Sequence, residues 1–253
     1  FCCLLALRPI LADTYHSDMG YTLTVPEGWT ILNKDNVRNK PEAIDAAMKA
    51  AGENQGFSAM PEEVFSTVKG LLVSGKVDYY YSPDRQFSIS VYKGSGEIPQ
   101  SESNQAEMCS NLADELSKQV ERNVKVYDCQ NKIVDGHGAF YMVADDYWKG
   151  HKNIQYMIQK NNEEILLFTA SSQTRNFDDM KKEFENVMAS LKISDGAGTE
   201  QLPGQSVVVE KETTTTTETK DGHRGVLSTT FDVVGEIIAL PFRIVGGLIR
   251  AIF

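Results

Sequence analysis

Between residues 139 and 170 three apolar and aromatic runs follow one another closely: AFYMVADDYW, NIQYMIQ and EILLFTA. WKGHK separates the first from the second and Asn161-Asn162 the second from the third. Asn tolerates the positive φ of tight hairpins, so this pattern predicts a three-strand antiparallel meander. Strands this rich in apolar residues need cover. The next segment reads as a helix: in NFDDMKKEFENVMASLKI, Phe177, Met180, Phe184, Val187, Met188 and Leu191 fall on one helical stripe. Asn176 is placed to cap this helix, and Asp178 and Asp179 suit its positive end. Strands and helices mixed in this way read as α+β.

The front of the chain fits that plan. In YTLTVPEGWT, Tyr21, Leu23 and Val25 share one strand face, Pro26 ends the ladder, Glu27-Gly28 turns, and Trp29 and Ile31 fold back as a plug. PEAIDAAMKAAG puts Ile44, Ala47, Met48 and Ala51 at helical spacing. PEEVFSTVKGLLVSG does the same with Val64, Phe65, Val68, Leu71 and Leu72. Strands KVDYYY and FSISVY then flank the turn SPDR. Ser103 is a cap for a further helix with Ala106, Cys109, Leu112, Leu116 and Val120 as its buried stripe. In the strand VKVYDC, strict alternation puts Val124 and Val126 on one side and Tyr127 and Cys129 on the other. A Cys109–Cys129 disulfide therefore requires that the helix cover the cysteine face.

A net charge of −10 repels phosphate backbones and offers no basic patch, which excludes nucleic acid as a partner. FCCLLALRPILA, residues 1–12, has the pattern of a signal-peptide core with a cleavage site after Ala12. Removal of that leader leaves Cys109 and Cys129, an even count suited to an oxidising compartment, either bridged or as two buried thiols. The expected location is periplasmic or extracellular.

Catalytic signatures are absent from the sequence: HExxH, GxSxG, a P-loop, CxxC and an EF-hand loop do not occur. His137 and His151 flank the strand expected from 139 to 148, roughly 30 Å apart at the strand rise, too far to share a metal. His16 and His223 read as solvated. Asp145 and Asp146 are neighbours on a strand and point to opposite faces, so they do not form an acid–base pair. Asp145, Tyr147 and His151 cluster near the WKGH turn as a recognition edge or simply an ordinary hairpin end. The run Tyr79, Tyr80, Tyr81 leaves at least one ring outside the core. The expected chain is not an enzyme and needs neither metal nor cofactor.

From residue 194 to 224 Gly, Thr and Glu dominate, which reads as a linker, with VVVE able to pair with a sheet edge. Residues 225–253 read as an amphipathic helix. At 100° per residue, with Asp232 at zero, Glu236 lies near 40°, Arg243 near 20° and Arg250 near zero. Phe231, Val234, Ile237, Ile238, Leu240, Phe242, Ile244, Val245, Leu248, Ile249 and Ile252 cover the rest of the wheel. A face so wide must lie on a membrane surface, self-associate, span as an oligomer, or dock on its own body or a partner protein. Pro241 kinks it and Gly246-Gly247 permits close approach.

With YTLTVPEGW in front, KVDYYYSPDRQFSISVY in the middle, and the meander and NFDDMKKEFENVMASLKI behind, residues 15–193 resemble the PsbP-like fold. The resemblance implies helices on the faces of an antiparallel sheet and members that mostly bind proteins. It carries over no metal or cofactor residue. The expected organisation is a leader at 1–12, the α+β domain at 13–193, the linker at 194–224 and the helix at 225–253. The expected function is a non-catalytic, exported binding or assembly module tethered at a membrane by that helix. Two alternatives stand beside it: a membrane-active protein whose tail self-associates, and a hydrolase with a site assembled from distant residues.

Overall fold

The computed structural model describes residues 13–39, 42, 62–83, 87–98, 102–119, 121–146 and 149–194. The side chains of residues 62–65, 67, 68, 102–105 and 119 fall outside this description. So do the whole of the expected helix at 44–51, the leader, the linker beyond Ser194 and the C-terminal helix with its eleven apolar residues.

A seven-stranded antiparallel sheet organises everything else. Its strands, in chain order, are β3 (Thr30–Leu32), β4 (Val77–Tyr81), β5 (Ser88–Ser95), β6 (Val126–Val134), β7 (His137–Asp145), β8 (His151–Gln159) and β9 (Glu164–Gln173). In space the order is β3-β4-β5-β9-β8-β7-β6. The meander is β7, β8 and β9, paired in register from Ala139↔Ile158 and Gln159↔Ile165 onward. These strands are buried on both faces, which is why they read as nearly continuous apolar runs rather than as alternation.

Helix α4 (Phe177–Ala189) packs on one face, entered through a 3-10 turn at Thr174–Asn176. Its whole expected stripe, with Leu191 just beyond it, is buried. Asn176 stands at the N-cap but makes no side-chain capping bond; the 3-10 turn leads the backbone into the helix instead. The helix stops at Ala189, and Lys192–Ile193 forms a two-residue strand, β10, rather than a last helical turn. β10 joins β1 (Asp13–Ser17) and β2 (Tyr21–Val25) in a second sheet of order β1-β2-β10. The expected single sheet is therefore two, and the small one shares this face with α4. Tyr21, Leu23 and Val25 point into the core as expected, whereas Trp29 and Ile31 are only partly buried against it. One apolar cluster joins Leu23, Tyr80, Val91, Ile154, Phe168 and Phe184 across β2, both halves of the large sheet and α4.

Two short helices close the front: α1 (Lys34–Asn39) and α2 (Glu62–Val73). Asn33 Oδ1 accepts the Asn36 amide at 2.8 Å and so caps α1. Past the end of α2, Gly75 at φ +69° donates to the Leu72 carbonyl while Lys76 donates to that of Leu71, a glycine-terminated helix end.

Helix α3 (Glu102–Gln119) covers the opposite face. Among its described side chains, Met108, Leu112 and Leu116 are buried. Ala106 is exposed, and Ser103 lies within the first turn instead of at the cap. The stripe thus begins at Met108. Here Cys109 and Cys129 are joined by a disulfide with a Cα–Cα separation of 5.8 Å. The geometry rests on a β-bulge: the register passes from Val126↔Ala144 directly to Asp128↔Val143. The extra residue, Tyr127, resets the alternation, so Val126 and Cys129 pack against the same cluster beneath α3. Strict alternation had placed them on opposite sides.

Candidate functional site

Asp78 is the most unusual side chain of the described interior. Alternation along β4 turns it to the same side as Tyr80, toward the small sheet, and it is 4% exposed. β1 and β2 cross over it and deliver hydroxyls. Ser17 Oγ and the Tyr21 phenol each donate to Asp78 Oδ2 at 2.6 Å, and the Tyr15 phenol donates to the same oxygen at 3.3 Å. Tyr21 and Tyr80 share a further bond at 2.7 Å, and Asn33 Nδ2 donates to the Tyr15 oxygen at 2.8 Å. Tyr15 also meets the Tyr80 ring edge-on with centroids 5.6 Å apart.

Burial raises the Asp78 pKa above the ordinary carboxylate value, and the hydroxyls oppose that by stabilising the anion. Burial likewise pushes the Tyr15, Tyr21 and Tyr80 phenols well upward, with the Asp78 charge adding to the shift. These phenols keep their protons and act as donors. A small cavity of about 30 Å³ opens beside the carboxylate, bordered by His16, Asp18, Lys34 and Gly75. That volume admits a water or an ion of similar size but no organic substrate. The arrangement clamps the small sheet to the large one.

At the far end of β7 the two adjacent aspartates separate as alternation requires. Asp145 accepts the Lys125 amide at 3.0 Å and the Tyr127 phenol at 2.9 Å; Asp146 accepts Ser171 Oγ. Tyr127, the bulge residue, is 43% exposed, with Lys125 Nζ 4.9 Å and Lys152 Nζ 4.1 Å from its ring centroid. Among the described residues, this is the aromatic group displayed at the hairpin end; Tyr147 lies outside them. His137 begins β7 and His151 begins β8, at opposite ends of this antiparallel pair. Among the described residues no group of three or more His, Cys, Asp or Glu converges as metal ligands, and no helix is long and apolar enough to cross a membrane.

The face beneath α3 also holds polar atoms without partners. Asn153 Oδ1, both ends of the Gln155 carboxamide and Thr169 Oγ1 are buried and make no hydrogen bond. They are neighbours, since Gln155 pairs with Thr169 and Asn153 with Ser171. Neither this strip nor the Asp78 clamp was predicted. For Asp78 a signal existed: in VDYYY it shares a face with Tyr80, which cannot leave the core cheaply.

No family model matches the chain, and no curated protein matches it. Among solved structures it is similar to cyanobacterial PsbP (CyanoP) from Synechocystis, at 13% identity and a TM-score of 0.44, over 74% of this chain and 95% of that one. It is also similar to PA94 from Pseudomonas aeruginosa, at 11% identity and a TM-score of 0.37, over 71% and 94%. A Bacteroides thetaiotaomicron protein is similar at 10% identity and a TM-score of 0.39, over 73% of this chain and 49% of that protein. The PsbP likeness agrees with the resemblance carried by the sequence, and it concerns the fold alone.

Proposed function

We propose that this chain is a non-catalytic, exported binding or assembly module held at a membrane by residues 225–253. The observation that carries this reading is the charge distribution of that segment. Asp232, Glu236, Arg243 and Arg250 occupy one narrow stripe, and the remaining apolar face is too wide to rest in water. The body supports it in two ways. Asp78 and the phenols around it are tied to one another across the two sheets rather than aimed at a substrate-sized space. Its Cys109–Cys129 disulfide suits an oxidising compartment, as does the leader-like stretch at residues 1–12. The exposed Tyr127, held by Asp145 and flanked by two lysines, is the surface offered to a protein partner.

Flotation with lipid vesicles tests the anchor. The full chain is expected to float with the vesicles, and a chain lacking residues 225–253 to stay in the dense fraction. Equal flotation of both would remove the tail from the account.

A further inference from the structure

Among the described residues β6 is the outer strand of the large sheet and pairs with β7 alone. Its bulge lies at one end, so Asp128–Val134 forms a regular seven-residue edge. An edge of this kind presents unpaired N–H and C=O groups and is a template for another strand. Ile133, 75% exposed, stands on it.

The chain leaves the described body beside this edge. The turn that ends β6, Asp135-Gly136, has φ +49° and +84°, and Asp135 reaches back to β10: its Oδ2 accepts the Ile193 amide and its Oδ1 the Lys192 ammonium, both at 2.8 Å. Ser194 therefore stands at the Val134 end of β6. After eleven intervening residues comes Ser206-Val207-Val208-Val209-Glu210, a run whose three valines have strong strand preference. Residues 195–205 span up to about 35–40 Å when extended, which exceeds the length of the regular edge at about 23 Å.

We propose that Ser206–Glu210 of this same chain adds to β6 as an eighth strand, antiparallel to it. A segment that starts at the Val134 end and runs toward Asp128 has that direction without crossing the sheet, and a neighbouring valine covers Ile133. Tethering favours this occupant over a second copy, since a short linker holds the segment at an effective concentration on the order of millimolar. The inference is independent of the membrane anchor.

Hydrogen exchange on the full chain tests it. The β6 amides that face away from β7 are expected to exchange about tenfold or more slowly than exposed amides. In Val208→Pro, which removes an N–H and cannot continue a ladder, they are expected to return to the exposed rate while β8 amides stay protected. Exposed-rate exchange in the unaltered chain overturns the proposal, as does protection that survives Val208→Pro. Protection that disappears on dilution assigns the edge to a second copy and overturns it too.

Discussion

The two faces of the large sheet are held in different ways. On the α4 face, apolar side chains from β2, β5, β8, β9 and α4 interdigitate, and the one buried carboxylate there has its donors supplied by β1 and β2. On the α3 face the apolar cluster is smaller, a disulfide ties helix to strand, and the cover gives way to Asn153, Gln155 and Thr169 with unpaired atoms. The contrast shows that burial and satisfaction are separate achievements. Both faces are buried, but among the described residues the protein groups of the α3 face leave several polar atoms without a protein partner.

Changes on the two faces should sort by mechanism. Phe184→Ala, which hollows the α4 face beside the Tyr156 ring, is expected to cost about 4 kcal/mol in denaturant unfolding. Replacing Cys109 and Cys129 together by Ala frees a loop with a sequence separation of 20 and is expected to cost about 3 kcal/mol. If the disulfide variant matched the parent, apolar packing under α3 would be sufficient alone and the contrast would fail. Gln155→Met keeps the volume while removing two unpaired buried atoms; it is expected to stabilise by about 1 kcal/mol, read as a raised denaturation midpoint.

Asp78 gives the α4 face a pH dependence. Its folded-state pKa is raised, so the folded protein binds more protons than the unfolded chain between the ordinary value of 3.8 and the folded value. Stability from this group is full below 3.8 and is lost as pH rises through the folded pKa. The stability of Asp78→Asn relative to the parent is expected to improve as pH rises across that window, measured by unfolding at a series of pH values. Glu164 works oppositely. Held down to about 2, chiefly by Lys93 with help from Lys160, it adds stability above 4.5 that is lost as pH falls toward 2.

Much of this was legible because it depends on local periodicity. The meander, the α4 stripe and the inward Tyr21, Leu23 and Val25 all follow from spacing alone. β1 was missed because DTYHS has no apolar alternation; its strand state comes from pairing with β2 and from the hydroxyls it offers Asp78. The Asp135-Gly136 hairpin was missed although its residues signal a two-residue turn with positive φ. The bulge at Tyr127 has no mark in VKVYDC, since it reflects how β6 must twist against β7. The Asp78 clamp joins residues 57 to 63 positions apart, beyond the reach of any local pattern.

One connection has mechanical meaning. Force that reaches Ser194 enters the large sheet only through the β6–β7 turn, at Asp135, and not through a strand ladder. It meets β10, which is two residues long, and is resisted by its pairing with Tyr21 and Thr22, by the Ser194 bond to Gly20, and by the grip of Asp135 on Lys192 and Ile193. Tension from that side would peel away the small sheet's edge strand before it strained α4, which makes this clasp the fuse of the molecule.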